Sequence, residues 1–172
     1  MREPFGVVRL DALPAPDVRH ARTALTLYAV EPRSTVTVAL NVAGLRSGDI
    51  AGLALFNGPG AWLGAKRGSA GLTLARFDER GGTTGRVRLR DLRVWLRAEC
   101  DFVRNEVVFG YSTDGSGYAE LGQSHGMGPT PDAAHGIRCS LFSCSTKAEA
   151  EGGHAEFDSF VVATEGAGHA AW

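Results

Sequence analysis

Hydrophobic and polar residues alternate along most of this chain with a period of two, the spacing of strands that turn one face to a core and the other to solvent. The pattern is sharpest between Leu92 and Gly122. There Val94, Leu96, Ala98 and Cys100 alternate with Arg93, Trp95, Arg97 and Glu99. After a turn at Asp101 to Asn105 the alternation resumes, with Val107, Phe109 and Tyr111 set against Val108, Gly110 and Ser112. Thr113-Asp114-Gly115-Ser116-Gly117 then reverses the chain toward Tyr118, Glu120 and Leu121. Gly115 suits the positive φ such a turn needs, and the Asp114 side chain is placed to cap backbone amides. The stretch predicts an antiparallel meander of three strands.

The rest of the chain repeats the theme. Phe5 to Leu10 predicts a short strand, ended by the loop Pro14-Ala15-Pro16-Asp17. Thr23 to Val30 and Ser34 to Val42 predict a hairpin through Glu31-Pro32-Arg33, with Val36, Val38, Leu40 and Val42 on one face. Ile50 to Phe56 is almost wholly apolar and predicts a central strand covered on both faces. Ala61 to Lys66, Gly71 to Asp78 and Gly85 to Leu89 continue the meander around the loop Glu79 to Thr84, and Gly136 to Ser143 and His154 to Ala163 close it. Gln123 to His135, with two prolines and two glycines, predicts the longest irregular segment, and Thr146 to Glu151 allows a helical turn at most. About a dozen short strands without an amphipathic helix or an internal repeat predict an all-β fold, an antiparallel two-sheet β-sandwich. Residues 1–164 are expected to form that single domain and 165–172 a frayed C-terminal tail.

Composition narrows the chemistry. The chain has 172 residues, enough for one core without covalent staples. Its 18 basic and 19 acidic residues are interspersed, so no patch of one sign points to nucleic acid or to an anionic membrane. Arg86, Arg88 and Arg90 share one strand face, read as a solvated outer face. No apolar run reaches the length of a membrane span. Cys100, Cys139 and Cys144 are an odd set, and the N-terminal residues do not resemble a signal peptide, so reduced thiols in a cytoplasmic protein are expected. The odd offset between Cys139 and Cys144 points their side chains to opposite faces of one strand and argues against a bridge.

Candidate chemistry is thin. Glu156, Asp158 and His154 share a strand face, but alternation against Phe157 favours a solvated outer face over an acid/base or metal site. The five histidines lack metal-ligand spacing, and there is no nucleophile elbow, phosphate loop or paired-cysteine motif. No catalytic residue and no metal ligand is assigned. No cofactor is expected, a structural calcium held by loop carbonyls staying open. Flat rings can stack on sugars beside polar groups, which makes Trp62, Trp95 and Tyr118, with His125, the candidate carbohydrate-binding residues; packing inside the sandwich is the competing role for each ring.

Several motifs in order carry a resemblance. Leu45-x-x-Gly48-Asp49-x-Ala51-Gly52-Leu53-Ala54-Leu55-Phe56, followed by Ala61-Trp62-Leu63-Gly64, is similar to a segment of the concanavalin A-like C-terminal domain of glycoside hydrolase family 43, the β-xylosidases and α-L-arabinofuranosidases. Phe109-x-Tyr111-Ser112-Thr113-Asp114-Gly115 resembles that domain's hairpin. Gly136-Ile137-Arg138-x-Ser140-Leu141-Phe142 and Gly152-Gly153-His154-Ala155-Glu156-Phe157-Asp158-x-Phe160 resemble its closing strands. Cys139, Cys144 and His154 depart from the usual residues there. The resemblance runs from Gly6 to Val162 and implies a concanavalin A-like sandwich of the jelly-roll type. It also implies an accessory, non-catalytic role: in that family the catalytic carboxylates lie on an N-terminal five-bladed propeller, so none is carried over. The C-terminal domain there packs on the propeller, lends a loop to the edge of its pocket and helps oligomers form. Expected partners are therefore a family 43 catalytic propeller, xylan- or arabinan-type sugars, and further copies of the chain. A free-standing carbohydrate-binding module for xylan-type oligosaccharides is the alternative.

Overall fold

In the computed structural model, residues 6–29, 32–56, 60–127, 137–148, 151–165 and 170–171 are described. They form two sheets and, apart from one 3-10 turn at Val18–His20, no helix. The first sheet holds β1 (Val8–Asp11), β14 (His154–Thr164), β4 (Arg33–Asn41), β9 (Arg93–Asp101), β10 (Glu106–Ser112) and β11 (Ala119–Glu120) in that order, with β12 (His125–Gly126) added to β10 and β15 (Ala170–Ala171) to β14. The second runs β2 (Leu13–Pro14), β13 (Ile137–Ser145), β5 (Asp49–Phe56), β6 (Ala61–Gly68), β7 (Gly71–Asp78) and β8 (Gly82–Leu89), with β3 (Thr23–Ala29) also on β13. All pairings are antiparallel except β2 with β13. This is the two-sheet sandwich the alternation predicts.

The period of two decides what enters the core. Val36, Val38 and Leu40 from β4 and Val94, Leu96, Ala98 and Cys100 from β9 meet Leu53, Leu55, Leu63, Leu74, Cys139 and Leu141 from the second sheet in one inter-sheet cluster. β5 is buried on both faces, as its apolar run predicts. Its outward residues Ile50 and Ala54 join Trp62, Phe142 and Cys144 in a second cluster, roofed by Ala15 and Val18. Cys139 and Cys144 thus lie on opposite faces of β13, and all three thiols are free and buried.

Two local expectations give way. β3 and β4 do not form a hairpin: β3 pairs with β13 and β4 with β14 and β9, so the chain arches from one sheet to the other. Both strands carry apolar residues for the same core, and an arch lets them approach it from opposite sides, whereas a hairpin would place them side by side. β8 begins at Gly82, inside the predicted loop, through a register shift beside Arg76 and Phe77. The C-terminal tail is tied at Ala170–Ala171, which pairs with Val161 and Val162. Since β4 occupies the other side of β14, β15 lies on the same edge as β1. Residues 128–135 of the Gln123 to His135 segment and 149–150 of Thr146 to Glu151 fall outside the described residues.

Candidate functional site

The outward residues of β4, β9 and β10 form one polar face of the first sheet. Register sets Ala39, Trp95 and Ser112 in one row across the strands, Thr37, Arg97 and Gly110 in the next, and Thr35, Glu99 and Val108 in a third. Trp95 is half-buried, with the Arg93 guanidinium 5.1 Å from its ring centre. The turn at Gly115, held at φ +78°, lies so close that a Cβ there would stand 2.9 Å from the indole. Asp114 organises that turn by accepting hydrogen bonds from the amides of Ser116 at 2.8 Å and Gly117 at 3.2 Å and from the Ser112 hydroxyl at 2.8 Å. These donors stabilise its charged form and hold its pKa far below the usual carboxylate range.

Tyr118 follows the turn and lies next to Arg97, whose guanidinium sits 3.6 Å from the phenol ring centre. Burial raises the Tyr118 pKa, and the neighbouring Arg97 only partly offsets this. Two adjoining hollows open on this face. One, of about 180 Å³, lies between Arg97, Glu99, Tyr118 and Glu120 over a floor of Val108 and Gly110. The other, of about 330 Å³, continues past Glu99 and Val108 to Thr35, Arg104 and Glu106.

The four residues singled out as sugar contacts divide. Trp95 and Tyr118 share this polar face. Trp62 instead stacks on Phe77 at 5.3 Å between ring centres and meets Phe142 edge-on at 5.9 Å, within the outer cluster of the second sheet. His125 is 1% exposed, its Nδ1 2.5 Å from Asp78 Oδ2. Beside that pair lies Arg76, fully buried, with its guanidinium 4.5 Å over the Phe109 ring, 3.6 Å from Asp78, and donating to the Phe77 carbonyl. Burial pushes the Asp78 pKa up, but hydrogen bonds from His125 and the Arg80 amide, with the charges of His125 and Arg76, bring it below its ordinary value. Burial lowers that of Arg76 in turn. The sequence reading missed this cluster. Its signal was present: Leu72, Leu74, Arg76 and Asp78 share one parity, so two charges stand at core positions of β7.

His154, Glu156 and Asp158 do share a face of β14, where cross-strand contacts occupy the carboxylates: Glu156 accepts from Asn41 at 3.3 Å and Asp158 from Arg93 at 2.6 Å. Among the described residues no group of three or more potential ligands is placed to hold a metal ion.

Known proteins share this fold. The family model for the beta-xylosidase C-terminal concanavalin A-like domain matches residues 1–163. A bifunctional GH43-CE protein of Bacteroides eggerthii is 28% identical, with a TM-score of 0.84 over 94% of this chain and 21% of that one. A GH43 glycoside hydrolase engineered to display both endo-xylanase and exo-arabinofuranosidase activity is 24% identical, with a TM-score of 0.80 over 91% of this chain and 33% of that one. A functionally unknown protein from Saccharomyces cerevisiae shares the fold at 15% identity and a TM-score of 0.67, over 93% of this chain and 89% of that one. No curated protein matches the chain.

Proposed function

The chain belongs to the family of beta-xylosidase C-terminal concanavalin A-like domains, and from that premise we propose that it is the non-catalytic accessory sandwich of a family 43 β-xylosidase or α-L-arabinofuranosidase. In this reading it packs on a catalytic propeller and shapes the rim of the substrate pocket, while the chemistry stays with the partner. The observation that carries it is the span of the match: almost the whole chain aligns, yet it amounts to only 21% and 33% of the two GH43 proteins. Such a share is what an accessory domain occupies beside a larger catalytic one. The segment that starts at Gln123 is the part proposed to reach the partner. Its base is fixed, since Arg76 donates to the Gln123 carbonyl at 3.5 Å and His125 is held by Asp78. A rigid base limits the conformational entropy lost when a loop docks. Reduced thiols and a cytoplasmic location belong to the same proposal.

The test uses a family 43 propeller stripped of its own C-terminal domain. Added to it, this chain is expected to co-elute in gel filtration and to raise kcat/KM on nitrophenyl xyloside or arabinoside, while alone it releases no nitrophenol. Release by the isolated chain, or indifference of every propeller tried, overturns the proposal.

A further inference from the structure

We propose that the groove along β9 and β10 on the outer face of the first sheet is a binding site for a neutral oligosaccharide. The two hollows share Glu99 and Val108 and follow the strands, so the groove is a run rather than a single pit. From Arg97 to Asp101 along β9 it spans roughly 14 Å, at about 3.4 Å per residue. That length takes more than one sugar ring.

The chemistry of the walls selects the ligand. Arg97 lies 3.6 Å from Glu99, and Arg104 lies 3.9 Å from Glu106. Both distances exceed a direct hydrogen bond but leave the opposite charges facing each other. A hydroxyl group can enter such a pair, accepting from the guanidinium and donating to the carboxylate, as a bridging water does. Neighbouring hydroxyls on a sugar ring match the two-pronged geometry of both groups. An anionic polymer would meet Glu99, Glu106 and Glu120, and a cationic one Arg97 and Arg104, so neither sign is favoured. Arg33 adds no net charge, being paired with Asp101 at 3.1 Å.

The groove is also prepared for a ligand. Stacking on Tyr118 fixes the Arg97 guanidinium, so little side-chain freedom remains to be lost on binding. Val108, half-exposed, gives an apolar patch in the floor for the C–H face of a sugar ring. The proposal takes from the preceding section only that the chain works beside a glycosidase, which sets the choice of probes.

The test titrates the full chain, followed by amide NMR shifts and calorimetry, with xylotetraose, arabinotetraose and trigalacturonate at millimolar concentrations. A saturable response to a neutral oligosaccharide, mapping to β9 and β10 and absent with trigalacturonate, is expected. Arg97→Met should weaken it roughly tenfold or more, about 1.4 kcal/mol. Glu120→Gln, a change at an exposed carboxylate that leaves the fold intact, should weaken it severalfold, and Arg9→Ala, outside the groove, should not alter it. No response to either neutral oligosaccharide, preference for trigalacturonate, or binding indifferent to both groove variants would sink the idea. Binding that persists where the propeller assay fails removes the accessory reading alone, and the converse result removes only the groove.

Discussion

Taking the guanidinium from Arg76 would leave Asp78 and His125 as a buried pair without their third member, and would uncover the Phe109 ring it spans. Arg76→Met keeps most of the volume and removes the charge, so the cost is that of an unbalanced buried ion, about 3 kcal/mol in urea unfolding. Asp78 gives the pH dependence. Its folded pKa lies below the ordinary 3.8, so the stability it contributes is complete above that value and is lost as the pH falls through the lower, folded one. Between about pH 5 and pH 2 the wild type should therefore lose more stability than Asp78→Asn, which starts lower but has no such carboxylate to protonate. An equal slope for the two proteins would show that other groups govern the acid limb. Gly115 acts through sterics: with φ at +78° and the Trp95 ring beneath it, Gly115→Ala should cost roughly 1–2 kcal/mol and shift the indole fluorescence.

Strands were legible because their faces differ, and the legibility failed where two physical demands compete. β9 and β10 show clean alternation, and their extents follow it closely. The arch between β3 and β4 was hidden because a short polar connection reads as a hairpin unless the partners of both strands are known. Trp62 carries the same lesson for the site. Local sequence left its ring free to be a platform or a core residue, and the decision rests on two glycines that face each other across β5 and β6, Gly52 and Gly64. A Cβ on Gly52 would lie 2.2 Å from the Leu63 carbonyl oxygen, and one on Gly64 would press on the Ala51 backbone and the Phe142 ring. The missing side chain at Gly64 leaves room for the Phe142 ring, which Trp62 meets edge-on, and that at Gly52 lets the backbones of β5 and β6 approach. Gly52→Ala should consequently cost roughly 3 kcal/mol, the upper range for overpacking, measured by chemical denaturation. The groove on β9 was illegible for a different reason: distances between Arg97, Glu99 and Tyr118 depend on how the sheet curves and where the Asp114 turn lands.

At the scale of the molecule, three thiols lie in two separate cores, and burial pushes the Cys144 pKa up to about 11. All three should resist an aromatic disulfide reagent in the native protein and react together on unfolding, with a rate that tracks global opening. Immediate reaction of one thiol would mean that its cluster opens locally. The edge of β14 has a wider consequence. β1 enters with Val8 beside Phe157, and β15 leaves with Ala171 beside Val161, four positions apart or roughly 14 Å along one strand. Head and tail of the sandwich therefore point at each other along one sheet edge. A second protein fused to either end would hang from nearly the same point and sweep the same hemisphere, and a circular permutant joined there and reopened at the Asp114 turn should keep the fold.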